Sequence, residues 1–263
     1  MSETTVNGLT LFYEIRGEGP PLLLISGLGT NSLTWLTVRG GLSRQFRVIT
    51  FDNRGAGRSD TPDTPYTIAE MAADARGLLD YLDIEKAHLL GHSMGGYIAQ
   101  ELAIRYPERV DKLILADTAP VSSDRNNIFF RDFLGWWDKG MGLADRLRQW
   151  SFWLFTPERF GDDSFIENYI KAAAGDPSPQ STAGFRGQAE AITSFDARGR
   201  LQGIRASTLI LEGEEDILIL PREAETLKKI PGSSFLSIPD AAHLLYVEQP
   251  EAFSRAVIEF FGI

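Results

Sequence analysis

The chain has 263 residues, of which 43% are hydrophobic and 24% are charged, and it contains no cysteine. This length and balance predict a globular protein with a large core, and they exclude disordered, collagen-like and fibrous classes. Without cysteine there are no disulfides, thiolate metal sites or cysteine nucleophile. Acidic residues exceed basic ones, 36 against 26, so nucleic acid and anionic membranes are not expected partners.

The first residues show no export signal. Met1 to Thr5 contain neither a basic stretch nor an apolar one, and no apolar run approaches the roughly 20 residues of a membrane span. We therefore expect a cytoplasmic protein with no membrane partner, present as a monomer or homodimer.

Short apolar runs alternate with amphipathic stretches along most of the chain, which is the pattern of an α/β protein. The first predicted strand, 9–15, alternates polar and apolar residues like an exposed antiparallel edge. Further strands are predicted at 21–26, 46–51, 86–90, 112–116, 208–212 and 234–238. Helical periodicity predicts helices at 68–82, 95–106, 222–230 and 250–261.

Between 118 and 206 the strand pattern stops and aromatic residues crowd together. Phe129, Phe133 and Trp137 follow one another at four-residue steps, which places them on one face of a helix. We predict a helical cap inserted into the sheet domain, with the cap at 119–205 and the core domain at 1–118 and 206–263.

The pentapeptide 91–95 (GHSMG) fits G-x-S-x-G and lies between a predicted strand and a predicted helix. A serine on such a sharp turn is held in a strained conformation that exposes its hydroxyl, here that of Ser93. Glycines two residues before and after avoid clashes across the turn, and the helix N-terminus favours negative charge beside the serine. A glycine-rich turn without chemistry would show the same five residues, so the context carries the prediction.

Further motifs make the chain resemble the α/β-hydrolase fold family from about residue 6 to its end. These are 26–29 (SGLG) after one strand, 52–59 (DNRGAGRS) after the next, and late Asp216 and His243. The resemblance implies an α/β-hydrolase fold, a mostly parallel eight-stranded sheet flanked by helices with a helical cap insertion. Within the family, 28–35 and 93–96 look most like 3-oxoadipate enol-lactonase-type proteins and small carboxylesterases. We interpret 52–59 as a rigid turn that braces the core.

Serine needs a base to remove its proton, and the chain has three histidines. His88 lies within a predicted strand and His92 points away across the turn, so both are expected to be structural. His243 follows the last predicted strand, in the loop where the family carries its catalytic base.

The acid that orients the base follows the strand 208–212 in this family, which points to Asp216. Glu214 and Glu215 are adjacent competitors. Asp117, at the end of the preceding strand, is the alternative seen in some relatives. The acid fixes the imidazole tautomer, an effect worth about 10⁴ in rate.

The oxyanion hole implied by the resemblance consists of the backbone N–H groups of Leu28 and Met94. Gly27 would let the first loop bend towards the substrate. Ser26 stands where the family usually has histidine, which affects the expected substrate class more than the hole, since the donors are backbone groups.

Aromatic residues of the predicted cap can line an acyl or ring pocket over Ser93, and Trp136, Trp153 and Phe155 are our candidates. The alternative is that they only pack the cap against the core.

The sequence thus predicts a hydrolase without cofactor or metal, with the triad Ser93, His243 and Asp216, that cleaves a small-molecule carboxylic ester or lactone. Ser93 excludes relatives that use an aspartate nucleophile, such as haloalkane dehalogenases and epoxide hydrolases. Two alternatives stay open: a signalling receptor with slow turnover on the same fold, and a C–C bond hydrolase of ring-cleavage products.

Overall fold

The computed structural model describes residues 2–262. These residues form one eight-stranded sheet. Its strands are β1 (Ser2–Val6), β2 (Leu9–Arg16), β3 (Pro21–Ile25), β4 (Arg47–Phe51), β5 (Ala87–His92), β6 (Val110–Ala116), β7 (Ser207–Gly213) and β8 (Ser234–Ile238). In space they follow the order β1-β2-β4-β3-β5-β6-β7-β8. The pairs β1–β2 and β2–β4 are antiparallel and the others are parallel, which confirms the predicted fold class.

Ten α-helices lie within residues 2–262. They are α1 (Leu36–Leu42), α2 (Ile68–Tyr81), α3 (Met94–Arg105), α4 (Asp124–Asp138), α5 (Leu143–Leu154), α6 (Asp163–Ala174), α7 (Thr182–Thr193), α8 (Pro221–Ala224), α9 (Leu245–Glu248) and α10 (Pro250–Phe261). None of these helices combines the length and the apolar character that crossing a bilayer requires.

Two sequence predictions about elements are wrong. Strand 9–15 is not the edge, because β1 pairs along its outer side, and its residues Leu11 and Phe12 are buried. The helix at 222–230 is α8 followed by a 3₁₀-helix, Glu225–Lys229. A three-residue period places Ala224 and Leu227 on one face, and both are buried.

The loops that follow the central strands emerge at one edge of the sheet. All residues of β3 after Pro21 are buried, as are all those of β5, because helices cover both faces of the sheet. In such a parallel sheet the loops after β3, β5, β7 and β8 emerge at the carboxyl ends of the strands, where α/β proteins bind their ligands.

Helices α4–α7 lie between β6 and β7, in the stretch predicted to be helical. A bridge between Val121 and Asp196 holds the two ends of this insertion side by side. The amide of Gln188 donates to the Arg54 carbonyl oxygen (2.8 Å), and that of Gln180 donates to the Gly55 carbonyl oxygen (2.8 Å). The turn after β4 is thereby a docking site for α7. The domain boundaries at 119 and 205 stay a prediction.

Candidate active site

Ser93 lies between β5 and α3 with φ 54° and ψ −119°, a conformation that a side chain rarely adopts. Close backbone packing enforces this turn. A Cβ on Gly95 would lie 2.0 Å from the Ile25 carbonyl oxygen, and one on Gly91 would lie 2.2 Å from the Gly95 carbonyl oxygen. The Ser93 N–H donates to the Ala116 carbonyl oxygen at 2.9 Å. The strain is therefore held by the sheet itself.

His243 and Asp216 meet at the same edge of the sheet, each 2% exposed. His243 Nδ1 and Asp216 Oδ2 are 2.8 Å apart. The other carboxylate oxygen, Oδ1, accepts the N–H groups of Leu218 (2.7 Å) and Ile219 (3.0 Å). A carboxylate only accepts, so the imidazole proton is assigned to Nδ1, and Nε2 is left as a free acceptor.

The main chain around His243 is fixed on both sides. Leu244 N–H donates to the carbonyl oxygen of Leu154, the last residue of α5 (3.1 Å). Ala242 N–H donates to Glu248 Oε2 (2.8 Å). The other oxygen of Glu248 accepts the N–H (3.1 Å) and the hydroxyl (2.8 Å) of Thr156. The loop that carries His243 is thus bound to the end of α5.

The structure does not bring the other two histidines to Asp216. His88 stacks on Phe261, with ring centroids 4.6 Å apart, at the start of β5. His92 is buried beside Trp35, and its Nε2–H donates to the His243 carbonyl oxygen (2.8 Å). Burial, together with the neighbouring His243, lowers the pKa of His92 well below its usual value, so its ring is neutral.

Of the alternative acids, Asp117 lies nearest and has a different partner. Its Oδ1 accepts the Gly213 N–H (2.8 Å). Its Oδ2 has no hydrogen-bond partner within the described residues and lies 4.0 Å from His92 Nε2. Burial and the negative charge of Asp216 raise the pKa of Asp117 well above its usual value. Glu214 is exposed and Glu215 half-buried, so Asp216 is the acid that reaches His243.

His92, Asp117 and His243 offer potential ligand atoms within 4.8 Å of one another. His92 Nε2 and His243 Nδ1 are already engaged in the hydrogen bonds described above. Metal ligation through these two nitrogens would break both bonds.

The loop after β3 packs directly against Ser93. A Cβ on Gly27 would lie 3.1 Å from the Ser93 Cβ and 3.2 Å from His92 Nδ1. Met94 is the first residue of α3, where backbone N–H groups have no partner within the helix. Ser26 is buried and accepts the indole N–H of Trp35 (2.9 Å), which gives it a bracing role.

A cavity of about 630 Å³ lies between the sheet edge and helices α4–α7. Gly27, Leu28, Ser93 and His243 line its core wall. The aromatic residues that line it are Tyr97, Phe130, Phe133, Trp137, Trp150, Phe165, Tyr169 and Phe185. Ser93 and His243 therefore face one shared, largely apolar cavity.

Three predicted lining residues lie elsewhere, which corrects the prediction that they form the pocket. Trp136 is 41% exposed on the outer face of α4. Trp153 packs on the Phe129 ring (centroids 4.6 Å apart), and Phe155 is buried among other aromatic rings. The helical spacing of Phe133 and Trp137 was a usable signal for the actual wall, since both lie on one face of α4.

The stretch 52–59 has the bracing role expected from the sequence. Asp52 accepts the Ser32 N–H (2.8 Å) and bonds the Arg58 guanidinium (2.9 Å). Arg54 forms a buried pair with Asp74 on α2, with Nε and Oδ2 2.6 Å apart. None of these three contacts involves Ser93.

Residues 20–250 match the alpha/beta hydrolase fold family model, and the chain belongs to this family. It is 32% identical over 255 residues to 3-oxoadipate enol-lactonase 2 of Acinetobacter baylyi, covering 96% of this chain and 93% of that protein. Among solved structures, a hydrolase from Pseudomonas aeruginosa has a TM-score of 0.90 at 29% identity. The match covers 100% of this chain and 98% of the Pseudomonas chain. A thermophilic esterase from Thermogutta terrifontis has a TM-score of 0.86 at 31% identity, covering 98% and 96%.

Proposed function

We propose that this protein is a serine hydrolase that cleaves a carboxylic ester or lactone of a small molecule through Ser93, His243 and Asp216. The observation that carries the proposal is the 2.8 Å contact between His243 Nδ1 and Asp216 Oδ2 at the wall of the cavity that Ser93 also lines. The similarity to an enol-lactonase and to an esterase supports carbonyl substrates of this kind.

In the first half of the reaction, Ser93 Oγ attacks the substrate carbonyl carbon while His243 Nε2 takes the hydroxyl proton. The N–H groups of Leu28 and Met94 stabilise the oxyanion of the tetrahedral intermediate. Collapse breaks the bond to the leaving oxygen, which receives the proton from His243. The product is an acyl-enzyme on Ser93 and an alcohol; from a lactone, the alcohol stays attached to the acyl chain.

In the second half, His243 removes a proton from water, and the resulting hydroxide attacks the acyl carbon. Collapse returns the proton to Ser93 Oγ and releases the carboxylic acid. Asp216 keeps the Nδ1 proton in place and stabilises the imidazolium in both halves. No redox step and no external group is needed for this sequence.

The test is hydrolysis of p-nitrophenyl acyl esters of increasing chain length by the wild type and by Ser93→Ala. We expect turnover to fall at least about 10³-fold in Ser93→Ala, because its nucleophile is gone. A fluorophosphonate should label the wild type once, on the peptide containing Ser93. Ser43→Ala is the matched control, since Ser43 lies outside the cavity wall. An Ser93→Ala variant as active as the wild type would overturn the mechanism.

The same assay, extended from esters to lactones and vinylogous diketo acids, separates the alternatives. A single burst without further turnover would favour the receptor. Activity on vinylogous diketo acids, with none on esters or lactones, would favour C–C bond hydrolysis.

A further inference from the structure

One cation lies on the wall of the cavity. Among the lining residues, Arg146 on α5 is the only lysine or arginine. Its guanidinium carbon lies 3.6 Å from the ring centroid of Trp137, which also lines the cavity. Stacking on an aromatic face holds the planar group in one orientation.

No ion pair to this guanidinium is formed by the side chains that the structure describes. Its Nε and Nη1 are buried, and no group in the described part of the chain accepts a hydrogen bond from them. Other arginines of the insertion have acceptors: Arg148 pairs with Glu167, Arg159 with Glu248, and Arg186 with Asp138. Buried donors without a partner are costly, so an unmatched guanidinium on a cavity wall indicates a missing acceptor.

The two carboxylates on the cavity wall have other partners. Asp162 caps α6 and accepts the Ser164 N–H at 3.0 Å. Asp176 accepts the side-chain amide of Asn31 at 2.6 Å. Burial lowers the pKa of Arg146, which is the effect expected of a cation that no charge within the protein compensates.

We propose that Arg146 binds a carboxylate carried by the substrate, at the end remote from the carbonyl that Ser93 attacks. This inference rests on the proposed function. A carboxylate matches the fork of a guanidinium with two parallel hydrogen bonds. A single cation on a wall that also carries Asp162 and Asp176 suits a monoanion better than a doubly charged phosphate. The substrate class is therefore an ester or lactone of a dicarboxylic acid, or of an acid with a second carboxylate.

The position of Arg146 sets the distance between the reacting carbonyl of the substrate and its second carboxylate. The Trp137 and Phe185 ring centroids are 5.7 Å apart, and the Phe185 ring lies 3.6 Å from the position of a Cβ on Gly29, in the loop beside Ser93. Two aromatic rings thus lie between the guanidinium and the loop. We expect a chain of several carbon atoms between the reacting carbonyl and the carboxylate.

The test compares two substrates that differ only in charge: the mono-p-nitrophenyl ester of adipic acid, and the same ester with its free carboxyl methylated. Longer diacids extend the series. We expect the wild type to prefer the free acid in kcat/KM by about tenfold to a hundredfold, the range of a charge-assisted hydrogen bond. Arg146→Met should reduce this preference to about one, and Arg146→Lys should retain part of it.

Arg148→Met is the matched control, because Arg148 lies on the same helix but pairs with Glu167 outside the cavity wall. It should keep the wild-type preference. Equal kcat/KM for both esters in the wild type, or the same preference in wild type and Arg146→Met, would overturn the inference and leave the proposed function intact.

A binding measurement keeps the two proposals apart. Tryptophan fluorescence of Ser93→Ala is titrated with monomethyl adipate and with dimethyl adipate. Tighter binding of the monoacid, lost in Ser93→Ala/Arg146→Met, supports the carboxylate site even if the wild type hydrolyses neither ester, in which case only the proposed function fails. Equal binding of both compounds overturns the carboxylate site.

Discussion

The two walls of the cavity are built by different means. On the core wall, backbone atoms set the geometry: the turn at Ser93 leaves no room for a Cβ on Gly91 or Gly95. On the cap wall, side chains set it, as the Phe133, Trp150 and Phe185 rings pack with centroids 5.3 to 6.1 Å apart. The position of Ser93 thus depends on backbone contacts that few substitutions would preserve. The shape of the other wall depends on side chains that can be exchanged.

The largest effect on turnover is expected from a change to the acid that contacts His243. Asp216→Asn should lower kcat about 10⁴-fold, because the amide favours the wrong imidazole tautomer. Asp117→Asn should lower it less than tenfold, since an amide oxygen can still accept the Gly213 N–H. Steady-state kinetics with the p-nitrophenyl esters measure both. The opposite ranking would make Asp117 the functional acid.

Backbone packing beneath Ser93 is tested by Gly95→Ala, with Gly135→Ala in α4 as its comparison. Gly95→Ala should destabilise the fold by about 3 kcal/mol or more, because its Cβ would overlap the Ile25 carbonyl oxygen. Gly135→Ala, inside α4, meets nothing within 4 Å and should stabilise by about 0.5–1 kcal/mol. Urea unfolding of both variants gives the comparison. A Gly95→Ala variant as stable as the wild type would show that the turn can relax.

The cap wall should respond through substrate size. Trp150→Phe removes volume from the wall and should raise kcat/KM for longer acyl chains relative to shorter ones, by several-fold for a gain of about 1 kcal/mol. Trp153→Phe, behind the wall, should leave the chain-length profile unchanged. Acyl-ester series from acetate to decanoate provide the profiles. A changed chain-length profile in Trp153→Phe would show that Trp153 contacts the acyl chain.

The smallest expected effect is electrostatic and concerns Glu212, a buried residue of β7. Burial and the nearby Asp216 raise the pKa of Glu212 to about 7. The folded state therefore binds this proton more tightly than the unfolded chain, and the contribution to stability, full at low pH, is lost as pH rises towards 7. Between pH 5 and 7.5 the unfolding free energy of the wild type should fall more steeply than that of Glu212→Gln, by up to about 1 kcal/mol per pH unit. Exposed Glu214→Gln is the control and should keep the wild-type slope.

The turn at 91–95 could be predicted because glycine spacing and strand–helix context follow directly from backbone geometry, and the mostly parallel eight-stranded sheet followed from the family resemblance. The family resemblance placed His243 and Asp216 in the loops after two strands, and the structure brings them together.

The cap could be predicted as helical but not resolved side chain by side chain. Adjacent Trp136 and Trp137 differ by about 100° around α4, so one is exposed and the other lines the cavity. The spacing of Phe133 and Trp137 indicates that these two share one face of α4, but what that face contacts depends on how α4 packs against α7. β1 was missed because Ser2 to Thr5 are polar and only Val6 has a strand-like apolar side chain.

The position of Glu248 limits how this protein can be recombined with its relatives. One carboxylate holds Thr156, at the end of α5, and Ala242, beside His243. An exchange of residues 119–205 for the corresponding segment of another protein would remove one half of that link and release the loop that carries His243. Chimeras intended to alter selectivity should therefore carry a hydroxyl residue at position 156, or exchange the loop at 242–248 together with the helices.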